Sequence, residues 1–139
     1  MTIHDLNNVV KRMHFNQLLG IRVTRTHKDG VTIECPLRQE LMNAMGVLHG
    51  GVTATMADAA VGIALWRHNS GSRPHTTVEL KINFFRPVWQ AMLRAEGTVI
   101  NRGRTVGYAE CTITDEENRL VAKAACTCMV LRGQKAAGR

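Results

Sequence analysis

The run HGGVTATMADAAVGIALWRH, from His49 to His68, decides the fold. Read as a helix from Gly50, it places Val52, Met56, Ala57, Ala60, Val61, Ile63, Ala64, Leu65 and Trp66 around almost the whole circumference. A helix lying on a protein surface shows one apolar stripe, whereas a helix apolar on every side has to be enclosed. Asp58 is the one carboxylate in the run, with Ala54, Thr55, Val61 and Gly62 three or four residues away. None of these neighbours can neutralise it, and a lone buried charge is costly, so Asp58 is expected to be paired across a contact or to face water in a cleft.

The flanking sequence supplies the wrapping. Before the helix, residues from about Ile3 to Leu19 read as one N-terminal helix, with Leu6, Val9, Val10, Met13 and Leu18 at helical spacing and Gly20 ending it. Ile21 to His27 and Val31 to Pro36 read as a hairpin around Lys28-Asp29-Gly30. After the helix, the loop Ser70 to Pro74 leads into four strands. The first alternates, with Thr76, Val78, Leu80, Ile82 and Phe84 on the apolar face and Thr77, Glu79, Lys81 and Asn83 on the other. Ala91 to Asn101, Thr105 to Thr114 and Leu120 to Leu131 follow, separated by turns at Arg102-Gly103-Arg104 and Asp115 to Asn118. Short turns favour an antiparallel meander of these four strands. The expected fold is α+β, a single domain over residues 1–139 in which an antiparallel sheet wraps one long helix, with a frayed tail at about 133–139.

The helix start carries a second chemical feature. The first N–H groups of a helix lack internal acceptors, and the glycines of His49-Gly50-Gly51 let a ligand approach them closely. Such N–H groups can stabilise the charge that develops on a carbonyl oxygen. Gly50 and Asp58 are eight residues apart, about 12 Å along one helix axis. One helix cannot easily bring both to the same carbonyl. A site using both is expected to draw them from two subunits.

Composition narrows the partners. Lys and Arg number 18 against 11 Asp and Glu, a net charge of +7. The excess suits a polyanionic or phosphate-bearing partner. The basic residues are scattered and aromatic residues make up 4%, which argues against a nucleic-acid-binding module and its stacking platforms. No run is long and apolar enough to insert in a membrane, and no leader is seen at the N-terminus. Cys35, Cys111, Cys126 and Cys128 lack a ligand cluster at zinc spacing, so they read as small buried hydrophobes in a reducing cytoplasm, and neither metal nor other cofactor is expected.

The stretch Asn43 to Gly62, NAMGVLHGGVTATMADAAVG, resembles the signature of hotdog-fold acyl-CoA thioesterases, most nearly the phenylacetic-acid-degradation (PaaI-like) branch. TVELKINFFRPV (Thr77 to Val88) and NRGRTVGYAEC (Asn101 to Cys111) resemble the same family's strands. The resemblance implies a hotdog fold assembled as homodimers or homotetramers with active sites shared between subunits, and an acyl- or aryl-acyl-CoA substrate cleaved to free acid and CoA. It also implies roles. Asp58 matches the carboxylate base or nucleophile, Gly50 the oxyanion donor, His49 the histidine beside the thioester, and Asn43 the amide of the site. Thr76 matches a hydroxyl that helps hold the attacking water, with Thr77 beside it on the opposite face. Gly51 joins Gly50 at the substrate. Arg86, Arg102 and Arg104, at strand ends or turns, suit the CoA phosphates. Two alternatives share the fold: a non-catalytic acyl-CoA-binding domain, and a dehydratase or hydratase.

Overall fold

A computed structural model describes residues 1–132. The expected frayed tail at 133–139 lies outside the described residues. Helix α3 (Gly50–His68) is sheathed by a six-stranded antiparallel sheet of β1 (Arg22–His27), β2 (Gly30–Pro36), β3 (His75–Phe84), β4 (Met92–Arg102), β5 (Val106–Asp115) and β6 (Leu120–Val130). This is the hotdog architecture. Met56, Ala57, Ala60, Val61, Ala64 and Leu65 of α3 are buried against Val31, Ile33, Leu93, Ala95, Ala109, Cys111 and Ile113 of the sheet. The helix backbone lies close against Gly97 on β4. A Cβ there would stand 2.6 Å from the Ala60 carbonyl, so only glycine lets the helix backbone lie this near the strand.

The strand order is β1-β2-β4-β5-β6-β3, which departs from the expected four-strand meander. β4, β5 and β6 do form a meander, but β3 pairs with β6 at the far edge. The reason lies between Phe85 and Ala91. This segment crosses the N-terminal end of α3, with Val88 buried and its carbonyl accepting from the Leu48 N–H at 2.6 Å. The chain thus leaves one edge of the sheet and re-enters at its centre.

The N-terminal helix is two helices, α1 (Ile3–Val10) and α2 (His14–Leu19), divided at Met13 with φ −91° and ψ 88°. On one straight helix Leu19 would point away from Leu6 and Val10. The break turns all three inward, where each is at least 96% buried. α1 also closes the β1 edge: the Asn7 side chain accepts from the Val23 N–H and donates to the Val23 carbonyl, both at 2.9 Å, at the bulge between Val23 and Arg25. Pairing or covering an edge in this way prevents unwanted strand addition. The β3 edge has no such cover among the described residues, and Val78 on it is 57% exposed.

Candidate active site

Asp58 sits midway along α3, half-buried, where the sheet leaves one stripe of the helix uncovered. Ala54, Thr55, Ala59 and Gly62 share its stripe, and their small side chains leave the floor of a pocket of about 610 Å³. Met13, Phe15 and Asn16 form one wall, and His75, Thr76, Thr77 and Leu80 of β3 the other. The Thr77 hydroxyl donates to Asp58 Oδ1 at 2.7 Å. This bond uses one lone pair and leaves the rest of the carboxylate toward the pocket. No Lys or Arg lines that pocket, so nothing there pairs the charge away.

The hydroxyl at Asp58 therefore belongs to Thr77, which corrects the expectation that placed Thr76 there. Strict alternation puts Thr76 on the same face as Leu80 and Ile82. β3 instead carries a bulge: Thr77 pairs with Cys128 and Glu79 with Thr127, leaving Val78 unpaired. One extra residue inverts the parity, so His75 and Thr77 face the helix before the bulge and Leu80 and Ile82 after it. Thr76 lines the pocket rim and is exposed.

Sequence reasoning also missed His75. It lies two residues before Thr77 on the same face, and its ring packs against Gly62, one helical turn beyond Asp58. Its Nδ1 is buried without a hydrogen-bond partner among the described residues. Burial pushes its imidazole below the usual histidine range, against the opposing pull of nearby carbonyls and Asp58. The available signal was plain alternation before the bulge: once Thr77 faces in, so must His75. Phe15 and Asn16 were invisible for a different reason, because they reach the pocket only through the α1–α2 break.

The helix start is built by side chains. His49 is the N-cap of α3, and its Nδ1 accepts from the Gly51 N–H at 2.8 Å. The Gly51 donor expected at the substrate is thus occupied, and the Gly50 N–H is left without an acceptor among the described residues. The Phe84 ring lies over Gly50, where a Cβ would meet it at 3.4 Å. Asn43 organises the loop that delivers the helix. Its Oδ1 accepts from the N–H groups of Met45 at 2.9 Å and Val47 at 3.3 Å, and its own N–H donates to the Val47 carbonyl. Gly46 completes that turn at φ +74°, a conformation glycine takes without strain.

Within one chain these residues form two groups. His49 and Gly51 border a cavity of about 370 Å³ with Leu19, Leu41, Met42 and Val52, while Asn43 borders another beside Trp89. Asp58, Thr77 and His75 line the 610 Å³ pocket, which meets the 370 Å³ one only at Phe15 and Thr55. The arginines divide too: Arg86 follows the end of β3, whereas Arg102 and Arg104 lie at the β4–β5 turn beside its beginning.

A carboxylate held by a threonine over an open pocket, on a sheathed helix whose first N–H has no acceptor among the described residues, is an arrangement that can support hydrolysis. Residues 45–122 match the family model of the thioesterase superfamily. The chain belongs to the thioesterase superfamily. A relative from Saccharolobus solfataricus, provisionally named an esterase, is 33% identical over 116 residues, spanning 84% of this chain and 82% of its own. The medium/long-chain acyl-CoA thioesterase YigI of Escherichia coli K12 is 27% identical over 136 residues, covering 87% of this chain and 88% of YigI. Among solved structures, a thioesterase from Haemophilus influenzae superposes with a TM-score of 0.88 at 26% identity, covering 95% of this chain and 92% of that one. A thioesterase family protein from Silicibacter pomeroyi gives 0.85 at 27% identity, over 92% and 96% of the two chains. Membership sets the reaction class of this thioesterase as thioester hydrolysis.

The four cysteines are free and buried, matching their reading as small buried hydrophobes. Burial, then the nearby Asp58 charge, pushes the Cys126 thiol up to about 12, and burial raises Cys128 and Cys35 as well. Thiols held protonated in this way are poor nucleophiles and poor metal ligands. Among the described residues no group of His, Cys, Asp and Glu is placed to hold a metal, and no helix is long and apolar enough to cross a membrane.

Proposed function

We propose that this thioesterase hydrolyses acyl-CoA, with the reaction centred on Asp58. The observation that carries the reading is the Asp58–Thr77 pair at 2.7 Å, facing a 610 Å³ pocket that holds no countercation. As general base, Asp58 takes a proton from water as the water oxygen bonds to the thioester carbon. The carbonyl oxygen gathers negative charge, the C–S bond then breaks, and the thiolate of CoA recovers the proton from Asp58. As nucleophile, the carboxylate itself forms the new C–O bond while the C–S bond breaks and the CoA thiolate leaves; water then opens the resulting anhydride to the acid and the Asp58 carboxylate, and its released proton goes to the thiolate. Thr77 orients the carboxylate in either course. The resemblance to the PaaI-like branch and the relationship to YigI support a CoA ester as the substrate.

The oxyanion donor of this reading is the Gly50 N–H of a second subunit, with His49 and Asn43 holding the helix start that presents it. Three features support a homodimer with shared sites. Gly50 and Asp58 are separated along one helix, the β3 edge is open, and Val78, Phe84 and Phe85 are at least 54% exposed along and just beyond β3. The whole chain acts as one domain in this reading, and its free cysteines suit the cytoplasm.

Asp58→Asn keeps the shape of the side chain and removes the base. It is expected to lower kcat for acyl-CoA by a factor on the order of 10² or more with an unchanged melting temperature. Thiol release at the wild-type rate would overturn the assignment. Single turnovers in ¹⁸O-labelled water test the nucleophilic role: a product acid free of label arises only when Asp58 has supplied its oxygen and water has opened the anhydride at the Asp58 carboxyl carbon.

A further inference from the structure

Cys126 and Cys128 share the buried face of β6, yet they meet different partners across the β3–β6 ladder. Cys126 stands opposite Leu80, an apolar side chain. Cys128 stands opposite Thr77, and side chains directly opposite in an antiparallel pair share a face. The Val78 bulge lies between these two pairs, so Thr77 and Leu80 both face α3. The Cys128 Sγ lies 3.7 Å from the Thr77 Oγ1, within hydrogen-bonding reach for sulfur. Cys128 is 1% exposed and does not line the Asp58 pocket. It can influence the reaction only through the threonine it touches.

Counting protons fixes the direction of that contact. A threonine hydroxyl has one proton and two lone pairs. The Thr77 proton goes to Asp58 Oδ1 at 2.7 Å. A carboxylate that acts as base or nucleophile is ionised and can only accept, so this bond cannot run the other way. The Thr77 oxygen then has no proton left for sulfur, and the proton between Thr77 and Cys128 has to come from the thiol. Burial keeps that proton in place. It raises the Cys128 thiol above its ordinary range, with the Asp58 charge adding to the rise and the Thr77 contact opposing it. The three groups therefore form one chain, thiol to hydroxyl to carboxylate. Successive hydrogen bonds in such a chain polarise one another, so the outer bond strengthens the inner one.

We propose that Cys128 is a positioning residue of this thioesterase: its thiol donates to the Thr77 oxygen, which turns the Thr77 proton onto Asp58 and holds the carboxylate toward the pocket. The proposal rests on the reading of Asp58 as the reacting carboxylate and extends that site inward by one residue. The thiol keeps its proton throughout and forms no bond to substrate. The two cysteines of β6 then differ in role, Cys126 filling the core and Cys128 donating a hydrogen bond.

Two measurements on the full-length chain test it. The first is the infrared S–H stretching band, which falls in frequency when a thiol donates a hydrogen bond. The Cys128 band is the one missing from Cys128→Ala, or from Cys128→Ser should the alanine chain not fold. It is expected at the lowered frequency in the wild type and at the free-thiol frequency in Thr77→Val. The second is steady-state hydrolysis of acyl-CoA. Cys128→Ala is expected to lower kcat about threefold with KM unchanged, the effect of one weak S–H···O bond. In the Thr77→Val background the same substitution is expected to change nothing, because a residue acting only through the hydroxyl has nothing left to act on. Cys126→Ala, the same deletion two residues away on the same face, leaves kcat at the wild-type value. A Cys128 band that does not move in Thr77→Val, a Cys128→Ala loss that persists in full there, or an equal loss from Cys126→Ala would each overturn the proposal. Failure of the acyl-CoA reading looks different: the wild type then releases no thiol from acyl-CoA, while the shift of the S–H band still decides whether the chain of hydrogen bonds exists.

Discussion

At the scale of single residues, the site turns on which threonine meets Asp58. Thr77→Val removes the hydrogen bond that orients the carboxylate and should lower kcat about tenfold. Thr76→Val, on the exposed side of β3, should leave kcat within a factor of two. Equal losses in steady-state assays would mean that the bulge does not set the site. His75 offers a pH test. Folding favours its neutral form, because burial holds it below the usual histidine range. Its stabilising contribution is therefore complete above the ordinary histidine value and fades as pH falls below it. The melting temperature of the wild type is expected to drop between pH 7 and 5 by more than that of His75→Asn. Parallel curves would remove the titration from His75.

At the scale of elements, α3 was legible from sequence because its signal is redundant. An all-round apolar run bounded by glycines and Asn69 admits no other reading, and the helix spans Gly50–His68 as expected. Strand boundaries were legible to within two residues for the same reason, since each apolar run is closed by a turn. Two features were not legible. The bulge at Val78 changes side-chain parity without any glycine or proline to announce it. The break at Met13 is set by what Leu6, Val10 and Leu19 pack against, not by a helix-breaking residue. Packing between elements gives a further prediction. Gly97→Ala forces a methyl group into the Ala60 carbonyl and should cost about 3 kcal/mol, a fall on the order of 10 °C in thermal melts. A melting temperature within two degrees of wild type would show that β4 and α3 can separate freely.

At the scale of the whole molecule, the separation of Gly50 from Asp58 predicts complementation between inactive chains. Gly50 is the first residue of α3, where proline is tolerated, and His49 before it is already extended at φ −63° and ψ 130°. Gly50→Pro therefore deletes one N–H and leaves the helix start in place. Mixed dimers of Gly50→Pro with Asp58→Ala should recover about half of wild-type turnover, because one of the two shared sites is whole. Purified heterodimers as inactive as their parents would place both groups in one chain's site. The sequence by itself determined the sheathed helix, the carboxylate on it and the glycines before it, since these follow from local periodicity and residue chemistry. The tertiary structure decided what depends on distant segments meeting: the placing of β3 beside β6, the hydroxyl that reaches Asp58 and the histidine beside it. Contacts between residues far apart in the chain are fixed by packing and register, which no local pattern encodes.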